Sequence, residues 1–239
     1  MPTSASYHRH SLSVSLLILA LTLTACSGQN DQGSSAEGGS ATASPSQSST
    51  ASISFTETKL RDSSGYHLVE PLEGAPTATL YTDLQCPYCK DAEPAYQEAA
   101  NQLAGQMNVT VRYFPLASHQ WAVQSARAVQ AAEEQGQHMA MQNKVFAGQD
   151  DWAQEEEEQA VFDHFKGYAQ ELGLDMEKFE ADYNSTAVKE IVEEDHRAGQ
   201  EAGVQGTPQF VVEGKPLENV DSQTSAADMV EAFKKAANL

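Results

Sequence analysis

Basic side chains are scarce in this sequence of 239 residues, which has 14 lysines and arginines against 34 aspartates and glutamates. The formal net charge is therefore −20. Proteins bind nucleic acid by placing lysine and arginine against phosphates, and they attach to anionic lipid in the same way. The composition thus predicts no nucleic-acid partner and no electrostatic docking on a membrane. Hydrophobic residues make up 40% of the chain, which is enough for a folded core.

Cysteine is also scarce, with three residues in the whole chain: Cys26, Cys86 and Cys89. The last two form one Cys-Pro-Tyr-Cys segment. No second Cys-x-x-Cys and no histidine pair at zinc-finger spacing accompanies it, so a zinc site would lack half of its ligands. A structural disulfide across so short a loop would constrain the unfolded chain very little. The third interpretation, a redox-active pair, is the one we favour, and we expect no metal and no cofactor.

Long hydrophobic runs are absent except at residues 12–25, which have the length of a signal peptide rather than of a membrane-spanning helix. The run ends in the letters LTAC at Cys26, which resembles the bacterial lipoprotein box, whose cysteine becomes the lipidated first residue of the mature chain. An ordinary signal peptide followed by a chance cysteine is the alternative. We predict a lipoprotein signal peptide over residues 1–25 and a lipid anchor at Cys26. The chain would then lie on the extracytoplasmic face of a bacterial cell membrane, where disulfides can persist.

Small and polar residues dominate residues 27–52, which follow the predicted anchor at Cys26 and complete the predicted anchor and tether segment, residues 26–52. Such a composition buries too little apolar surface to offset the entropy lost on ordering. We predict a disordered tether that, as a flexible coil, would reach roughly 30 Å. It would hold a folded domain, residues 53–239, away from the membrane. A mucin-like stalk is the alternative.

The rest of the sequence alternates between strand and helix patterns and predicts an α/β fold. Strands are predicted at residues 78–81, 109–113, 209–212 and near 217, and helices at 86–104 and 225–237. The intervening segment, about residues 118–203, has repeated helical spacing and little strand character. The order is therefore strand, helix, strand, a helical block, two strands and a helix.

Cys86 stands where chemistry favours a thiolate, at the start of a helix that follows a buried strand. The free N–H groups and the positive end of the helix dipole stabilise an anion there. The thiolate is the reactive form of cysteine. Each unit by which its pKa falls favours the reduced form over the disulfide by about 1.4 kcal/mol. Such a pair gives up its disulfide readily and oxidises other thiols.

The Cys-Pro-Tyr-Cys segment resembles the active site of the thioredoxin superfamily, and residues 70–238 resemble its DsbA-like branch. Pro94, five residues after Cys89, matches the proline that kinks the active-site helix of thioredoxins. Gly206, Thr207 and Pro208, before a predicted strand, match the family's cis-proline loop. The resemblance implies a thioredoxin-like fold with a helical domain, at about residues 118–203, inserted between an N-terminal βαβ part and a C-terminal ββα part.

The resemblance also implies roles for the residues of the cysteine segment. Cys86, expected to be exposed, would form a mixed disulfide with a client thiol, and Cys89, expected to be buried, would resolve it. Pro87 and Tyr88 would tune the stability of the thiolate and thus the redox potential.

The cis-proline loop would bind the client. Pro208 would fix the loop opposite the cysteine pair, and the backbone of Thr207 would pair with an extended client segment. The implied partners are unfolded or reduced secreted proteins and a membrane-embedded protein that reoxidises the pair.

The chain departs from the wider superfamily in one respect that concerns Cys89. Many members carry a buried acid six residues before the first cysteine, where this chain has Leu80. Asp83 lies closer to the loop, and we expect its carboxylate to point elsewhere. We expect Glu93 to be exposed and His119 to cap or pack against the next helix, with a position facing the active site as the alternative for His119. The proton acceptor for Cys89 is left open, with water and a side chain of the helical domain as candidates.

The expected function is an extracytoplasmic thiol-disulfide oxidoreductase that oxidises the cysteines of secreted proteins. A reductase or isomerase of the same fold is one alternative. A tethered client-binding module without redox activity is another, and a surface lipoprotein with a merely inherited fold is a third.

Overall fold

The computed structural model describes residues 60–239. The predicted signal peptide, the lipidation site Cys26 and the predicted tether lie outside the described residues. Within residues 60–239 no helix combines the length and the apolar character needed to cross a membrane.

A six-stranded sheet forms the centre of the described residues, with strand order β1-β2-β4-β3-β5-β6. Its strands are β1 (Arg61–Asp62), β2 (Gly65–His67), β3 (Thr77–Thr82), β4 (Asn108–Tyr113), β5 (Gln209–Val212) and β6 (Lys215–Pro216). Only β3 and β4 pair in parallel, and the other neighbours are antiparallel. A parallel pair needs a crossover connection, and a helix supplies it here.

Eight helices accompany the sheet in residues 60–239. They are α1 (Pro87–Leu103), α2 (Ala122–Glu133), α3 (His138–Ala147), α4 (Gln149–Trp152), α5 (Glu158–Glu171), α6 (Met176–Asn184), α7 (Thr186–Glu201) and α8 (Ala226–Ala236). Helix α1 is the crossover between β3 and β4. Helices α2 to α7 follow one another between β4 and β5. This order confirms the predicted fold class, a thioredoxin-like α/β fold with an inserted helical block.

Local sequence signals account for the course of α1. Pro87 occupies the first helical position, where the missing N–H costs nothing. Pro94 lies inside the helix, as the resemblance implied. The helix ends at Leu103, and Gly105 follows with φ +72, a conformation that glycine adopts without steric cost.

The hairpin of β1 and β2 is the part of the sheet that the sequence analysis did not predict. These strands have two and three residues, too few for an alternating pattern to be recognised. Strand β2 extends the sheet by pairing with β4, with Tyr66 opposite Val111.

Two large hydrophobic clusters divide the core. One lies between the sheet and helices α1 and α8 and includes Tyr96, Phe210 and Phe233. The other lies within the inserted helices, where Trp152 packs edge-on against Phe165 with ring centroids 5.4 Å apart. The second cluster also contains both cysteines of the Cys-Pro-Tyr-Cys segment. The inserted helices therefore build one wall of the cysteine site.

A buried ionic cluster ties the hairpin, the sheet and the insertion together. The carboxylate of Asp195 in α7 accepts from Arg112 Nη1 at 2.9 Å and from Arg61 Nη1 at 3.1 Å. Arg61 also pairs with Glu133 in α2 at 3.1 Å. Burial raises the pKa of Asp195, and the two arginines oppose that rise. Charges this deeply buried depend on their partners, because an unpaired one has no water to stabilise it.

Candidate active site

The cysteine segment begins where β3 ends. Thr82 is the last residue of β3, and a three-residue loop leads to Cys86, the N-cap of α1 with φ −80 and ψ 121. The Cys86 carbonyl accepts from the backbone N–H groups of Cys89 at 3.1 Å and of Lys90 at 3.2 Å. The first turn of α1 thus presents both sulfur atoms on the side that faces the insertion.

Both cysteines are free thiols, and both are buried. Cys89 has no exposed surface, as predicted, but Cys86 is only 3% exposed, so the prediction of an exposed Cys86 is wrong. Tyr88, at 62% exposure, reaches the surface beside it. Two residues from later parts of the chain, one from α4 and one from the loop before β5, form hydrogen bonds with Cys86.

The neighbour from α4 is Gln149, which is buried. Its Nε2 donates to the carbonyl of Leu84 at 2.7 Å and to that of Cys86 at 3.2 Å. The neighbour from the loop before β5 is Thr207, whose carbonyl accepts from Cys86 Sγ at 3.5 Å.

The predicted client-binding loop lies at the cysteines. The Thr207–Pro208 peptide bond is cis. Strand β5 runs antiparallel to β3 with Gln209 opposite Tyr81, so residues 207 and 208 come beside the end of β3 although 121 positions separate Thr207 from Cys86. Sheet pairing therefore brings together the two motifs that the sequence analysis singled out.

The two thiols have opposite acid–base properties. The pKa of Cys86 is lowered to about 6, first by a hydrogen bond from Cys89, against the effect of burial. Backbone N–H groups of Cys89 and Tyr88 and the side chain of Thr207 add to this lowering. Burial raises the pKa of Cys89 well above its ordinary value. At neutral pH the pair thus holds one thiolate and one protonated thiol.

Asp83 organises the loop but does not offer its carboxylate to the cysteines. The carboxylate accepts from the backbone N–H groups of Gln85 and Leu116 and from His119 Nδ1, each at 2.8 Å. It therefore points away from the sulfur atoms, as expected. The backbone N–H of Asp83, in contrast, donates to Cys89 Sγ at 3.4 Å. The role predicted for His119, capping or packing, is incomplete because its ring holds the active-site loop through Asp83.

Gln85 is a second connection between the active-site loop and the insertion. Its Oε1 accepts from the backbone N–H of Trp121 at 2.7 Å, and its Nε2 donates to the carbonyl of Ala153 at 3.4 Å. Together with Gln149, this residue attaches the loop to the helical block on both sides. No local sequence pattern marks either glutamine, and only the fold makes them neighbours.

Glu93 is buried, so the prediction that it is exposed is wrong. It lies four residues after Cys89 and therefore on the same face of α1, which turns inward. Its Oε1 accepts from Gln97 at 2.8 Å and from Gln142 in α3 at 2.5 Å, while its Oε2 has no partner in residues 60–239. Burial raises the pKa of Glu93 to about 7. The helical period, counted from Cys89, was the signal that could have placed it inside.

Metal ligands are not gathered in the described part of the chain. Residues 60–239 contain no group of three or more histidine, cysteine, aspartate or glutamate side chains that could hold a metal ion.

Similarity to solved structures matches this geometry. The DsbA oxidoreductase of Xylella fastidiosa superposes with a TM-score of 0.58 at 18% identity, covering 71% of this chain and 90% of that one. A thioredoxin-like oxidoreductase of Silicibacter pomeroyi gives 0.56 at 24% identity, covering 70% and 89%. A peptide complex of Proteus mirabilis DsbA gives 0.57 at 16% identity, covering 72% and 95%. At these identities the likeness concerns the fold.

Curated relatives match part of their length only. The Na⁺/H⁺ antiporter NhaA of Herminiimonas arsenicoxydans is 33% identical over 169 residues, which are 71% of this chain and 26% of that protein. The antiporter NhaA 3 of Salinispora tropica is 31% identical over 150 residues, 62% of this chain and 22% of that protein. The chain thus spans about a quarter of the length of these relatives, and the similarity concerns one portion of them.

A family model described as thioredoxin matches residues 72–234, which include both cysteines and the cis-proline loop. The chain therefore belongs to the thioredoxin family, and its fold is that of the DsbA-like thiol-disulfide oxidoreductases.

Proposed function

We propose that the chain oxidises the cysteines of secreted proteins outside the cytoplasm, by exchange with a Cys86–Cys89 disulfide. The observation that carries this proposal is the difference between the two thiols. Cys86 has its pKa lowered to about 6, and Cys89 has its pKa raised well above the ordinary value. A stabilised Cys86 thiolate favours the reduced enzyme, and a protein with a stable reduced form is an oxidant of its clients.

The exchange has two steps. A client thiolate attacks Cys86 Sγ of the enzyme disulfide, the Cys86–Cys89 bond breaks, and Cys89 leaves as a thiolate that then takes up a proton. A second thiolate of the client attacks the client sulfur in the mixed disulfide, and Cys86 leaves as a thiolate. Two electrons pass to the enzyme, and the client gains a disulfide. Cys86 leaves easily because its thiolate is stable at neutral pH.

The other site residues have supporting roles in this proposal. The Thr207 backbone and Pro208 bind an extended client segment beside Cys86. Pro87 and Tyr88 tune the Cys86 thiolate, Pro87 by starting the helix and Tyr88 through its backbone N–H. A membrane-embedded partner reoxidises the pair.

Placement at the membrane belongs to the same proposal. A signal peptide over residues 1–25 exports the chain, lipid on Cys26 anchors it, and residues 26–52 tether the folded domain. The clients are then unfolded or reduced secreted proteins that pass the anchored enzyme.

Trapping of mixed disulfides tests this function. Cys89→Ala removes the resolving thiol, so with oxidised glutathione as the oxidant reduced secreted proteins should accumulate as adducts on Cys86 that a strong reductant releases. The matched control, Cys86→Ala, should give no adducts. Absence of adducts with Cys89→Ala under oxidising conditions would reject the redox function and favour a client-binding module.

The direction of exchange needs a separate measurement. Equilibration of the full chain with glutathione redox buffers gives the reduction potential of the pair. A strongly oxidising value supports the donor of disulfides, whereas a value like that of thioredoxin, about −270 mV, supports a reductase or isomerase.

A further inference from the structure

Thr82 has a buried hydroxyl that the fold leaves without a partner. It is the last residue of β3, and its side chain is fully buried. Its Oγ1 makes no hydrogen bond with any atom of residues 60–239 while both cysteines are thiols. Buried hydroxyl groups are nearly always hydrogen-bonded, because leaving one unpaired destabilises the fold. The unpaired, buried hydroxyl of Thr82 therefore points to a role outside the stability of the fold.

The sulfur of Cys89 is the atom that the Thr82 hydroxyl can serve. The end of β3 passes directly beside this atom, since the backbone N–H of the next residue, Asp83, donates to Cys89 Sγ at 3.4 Å. Burial raises the pKa of Cys89, and the Thr82 hydroxyl is among the groups that act in the opposite direction. The peptide bond that joins Thr82 to Asp83 supplies the N–H that donates to Cys89, so the buried Thr82 side chain lies beside the same sulfur. Its hydroxyl gains a good acceptor only when the sulfur becomes an anion.

We propose that the end of β3 forms a two-donor site for the Cys89 thiolate, made of the Thr82 hydroxyl and the Asp83 N–H. This inference rests on the proposed function, because a Cys89 thiolate exists only while disulfide exchange is in progress. Leu80 occupies the position at which many members of the wider superfamily carry a buried acid. In this chain, two neutral donors would stabilise the Cys89 thiolate in place of a carboxylate that accepts its proton.

The site serves exchange in either direction. When a client thiolate opens the Cys86–Cys89 disulfide, Cys89 departs as a thiolate, and both donors stabilise the leaving group. When the dithiol form reacts with a client disulfide, the Cys86 thiolate first attacks it, forms a mixed disulfide and releases one client thiolate. Cys89 then loses its proton to water, its thiolate attacks Cys86 Sγ, the bond from Cys86 to the client breaks, and the second client sulfur leaves as a thiolate. The same two donors then raise the fraction of Cys89 that is ionised.

Two other groups near Cys89, the Asp83 carboxylate and the Thr207 hydroxyl, differ from Thr82 in the atoms on which they act. The carboxylate of Asp83 is occupied by its three donors and turned away. The Thr207 hydroxyl also lacks a partner in the described residues, but it acts on both sulfur atoms. A substitution at Thr82 should therefore change the ionisation of Cys89 without changing that of Cys86.

One equivalent of dithiobis(nitrobenzoate), an aromatic disulfide, tests the proposal on the reduced full chain carrying Cys26→Ser, so that Cys86 and Cys89 are its two thiols. Attack by the Cys86 thiolate releases one coloured nitrothiobenzoate and forms a mixed disulfide. Attack by the Cys89 thiolate on Cys86 Sγ then releases the second and closes the enzyme disulfide. Stopped-flow absorbance resolves the two phases. Thr82→Val, which keeps the volume and removes the hydroxyl, should slow the second phase about tenfold, the effect of one hydrogen bond to a charged group, and leave the first unchanged.

Two further variants make the result specific. Thr82→Ser keeps the hydroxyl and should retain the second phase, whereas Thr82→Ala removes it and should be as slow as Thr82→Val. The pH profile of the second phase should move to higher pH in both slow variants. Their resistance to urea as dithiols should not depend on the hydroxyl, so Thr82→Val should be at least as stable as the parent.

The outcomes separate this inference from the proposed function. An unchanged second phase in Thr82→Val would overturn the two-donor site, and so would an equal slowing in Thr82→Ser, which would assign the effect to packing. Absence of the first phase in the unaltered chain would instead remove the proposed function, and this inference with it.

Discussion

Titration of Cys86 offers the most direct test of the site. Alkylation of the reduced chain with iodoacetamide across a pH series should have its midpoint near the lowered pKa of about 6. At pH 7 about nine tenths of Cys86 would then be ionised, against about one hundredth for a thiol with the ordinary pKa of 9.0. Mass spectrometry of the peptide that contains Cys86 separates its alkylation from that of Cys26. The midpoint is the informative quantity, because a less basic thiolate is also a weaker nucleophile.

The same shift predicts how stability depends on pH. Because the pKa of Cys86 is lower in the folded chain than in the unfolded chain, ionisation stabilises the reduced fold by about 4 kcal/mol when the shift from 9.0 to about 6 is fully expressed. This stabilisation is complete above about pH 9 and is lost as the pH falls through about 6. At pH 7 roughly 1.4 kcal/mol of it remains, which corresponds to about 30 mV in favour of reduction. Urea unfolding of the dithiol and disulfide forms at several pH values measures the difference.

Cys89→Ala is the control that identifies the cause. The hydrogen bond from Cys89 is the largest contribution to the low pKa of Cys86, so the alkylation midpoint should rise in this variant. A midpoint near that of an ordinary cysteine in the unaltered chain would refute the reasoning and the proposed function. A low midpoint that Cys89→Ala leaves in place would show that the helix and Thr207 are sufficient.

Three further predictions concern buried polar groups around the site. Gln149→Met should lower the free energy of unfolding by about 1–3 kcal/mol, measured with urea, because it leaves a buried carbonyl of the active-site loop unpaired. Asp195→Asn should lower it by about 3–5 kcal/mol in the same assay, since buried Arg112 loses its counter-charge and Arg61 keeps only Glu133. Glu93, whose pKa is raised to about 7, should make the fold less stable as the pH rises from about 4.5 through 7. Glu93→Gln should remove that pH dependence, worth about 3 kcal/mol, in unfolding measured at a series of pH values.

The predictions for Gln149 and Asp195 have matched control variants. Gln154→Met and Glu194→Gln alter exposed neighbours and should change stability by less than about 0.5 kcal/mol. Equal losses of unfolding free energy for Gln149→Met and Gln154→Met would show that the hydrogen bonds from Gln149 to the active-site loop do not stabilise the fold. A stability curve of Glu93→Gln with the slope of the parent would show that this carboxyl does not titrate in the range stated.

Much of the fold could be predicted because its signals are local. The strand predicted at 109–113 differs from the observed β4 by one residue at its start. The helices predicted at 86–104 and 225–237 differ from α1 and α8 by one residue at each end. Helical spacing over residues 118–203 predicted the insertion, which consists of six helices, α2 to α7. In each case the period of apolar residues, Pro87 or Gly105 acts within a few positions along the chain.

The errors arise where burial depends on distant residues. Glu93 and Cys86 were both expected to be exposed, and both are covered by elements that follow β4 in the chain. Gln142 and Gln149, from α3 and α4, reach them only because the insertion folds back onto α1. A charged residue near a helix start is exposed in most proteins, so the local pattern favoured the wrong answer.

The sequence by itself determined which atoms could do chemistry: two sulfur atoms at a helix start and a proline loop far along the chain. Tertiary structure decided how those atoms behave, because a pKa and an unpaired hydroxyl depend on what surrounds them. The strand pairing that brings Thr207 to Cys86 and the end of β3 that lies against Cys89 join positions between which the sequence shows no periodic relation.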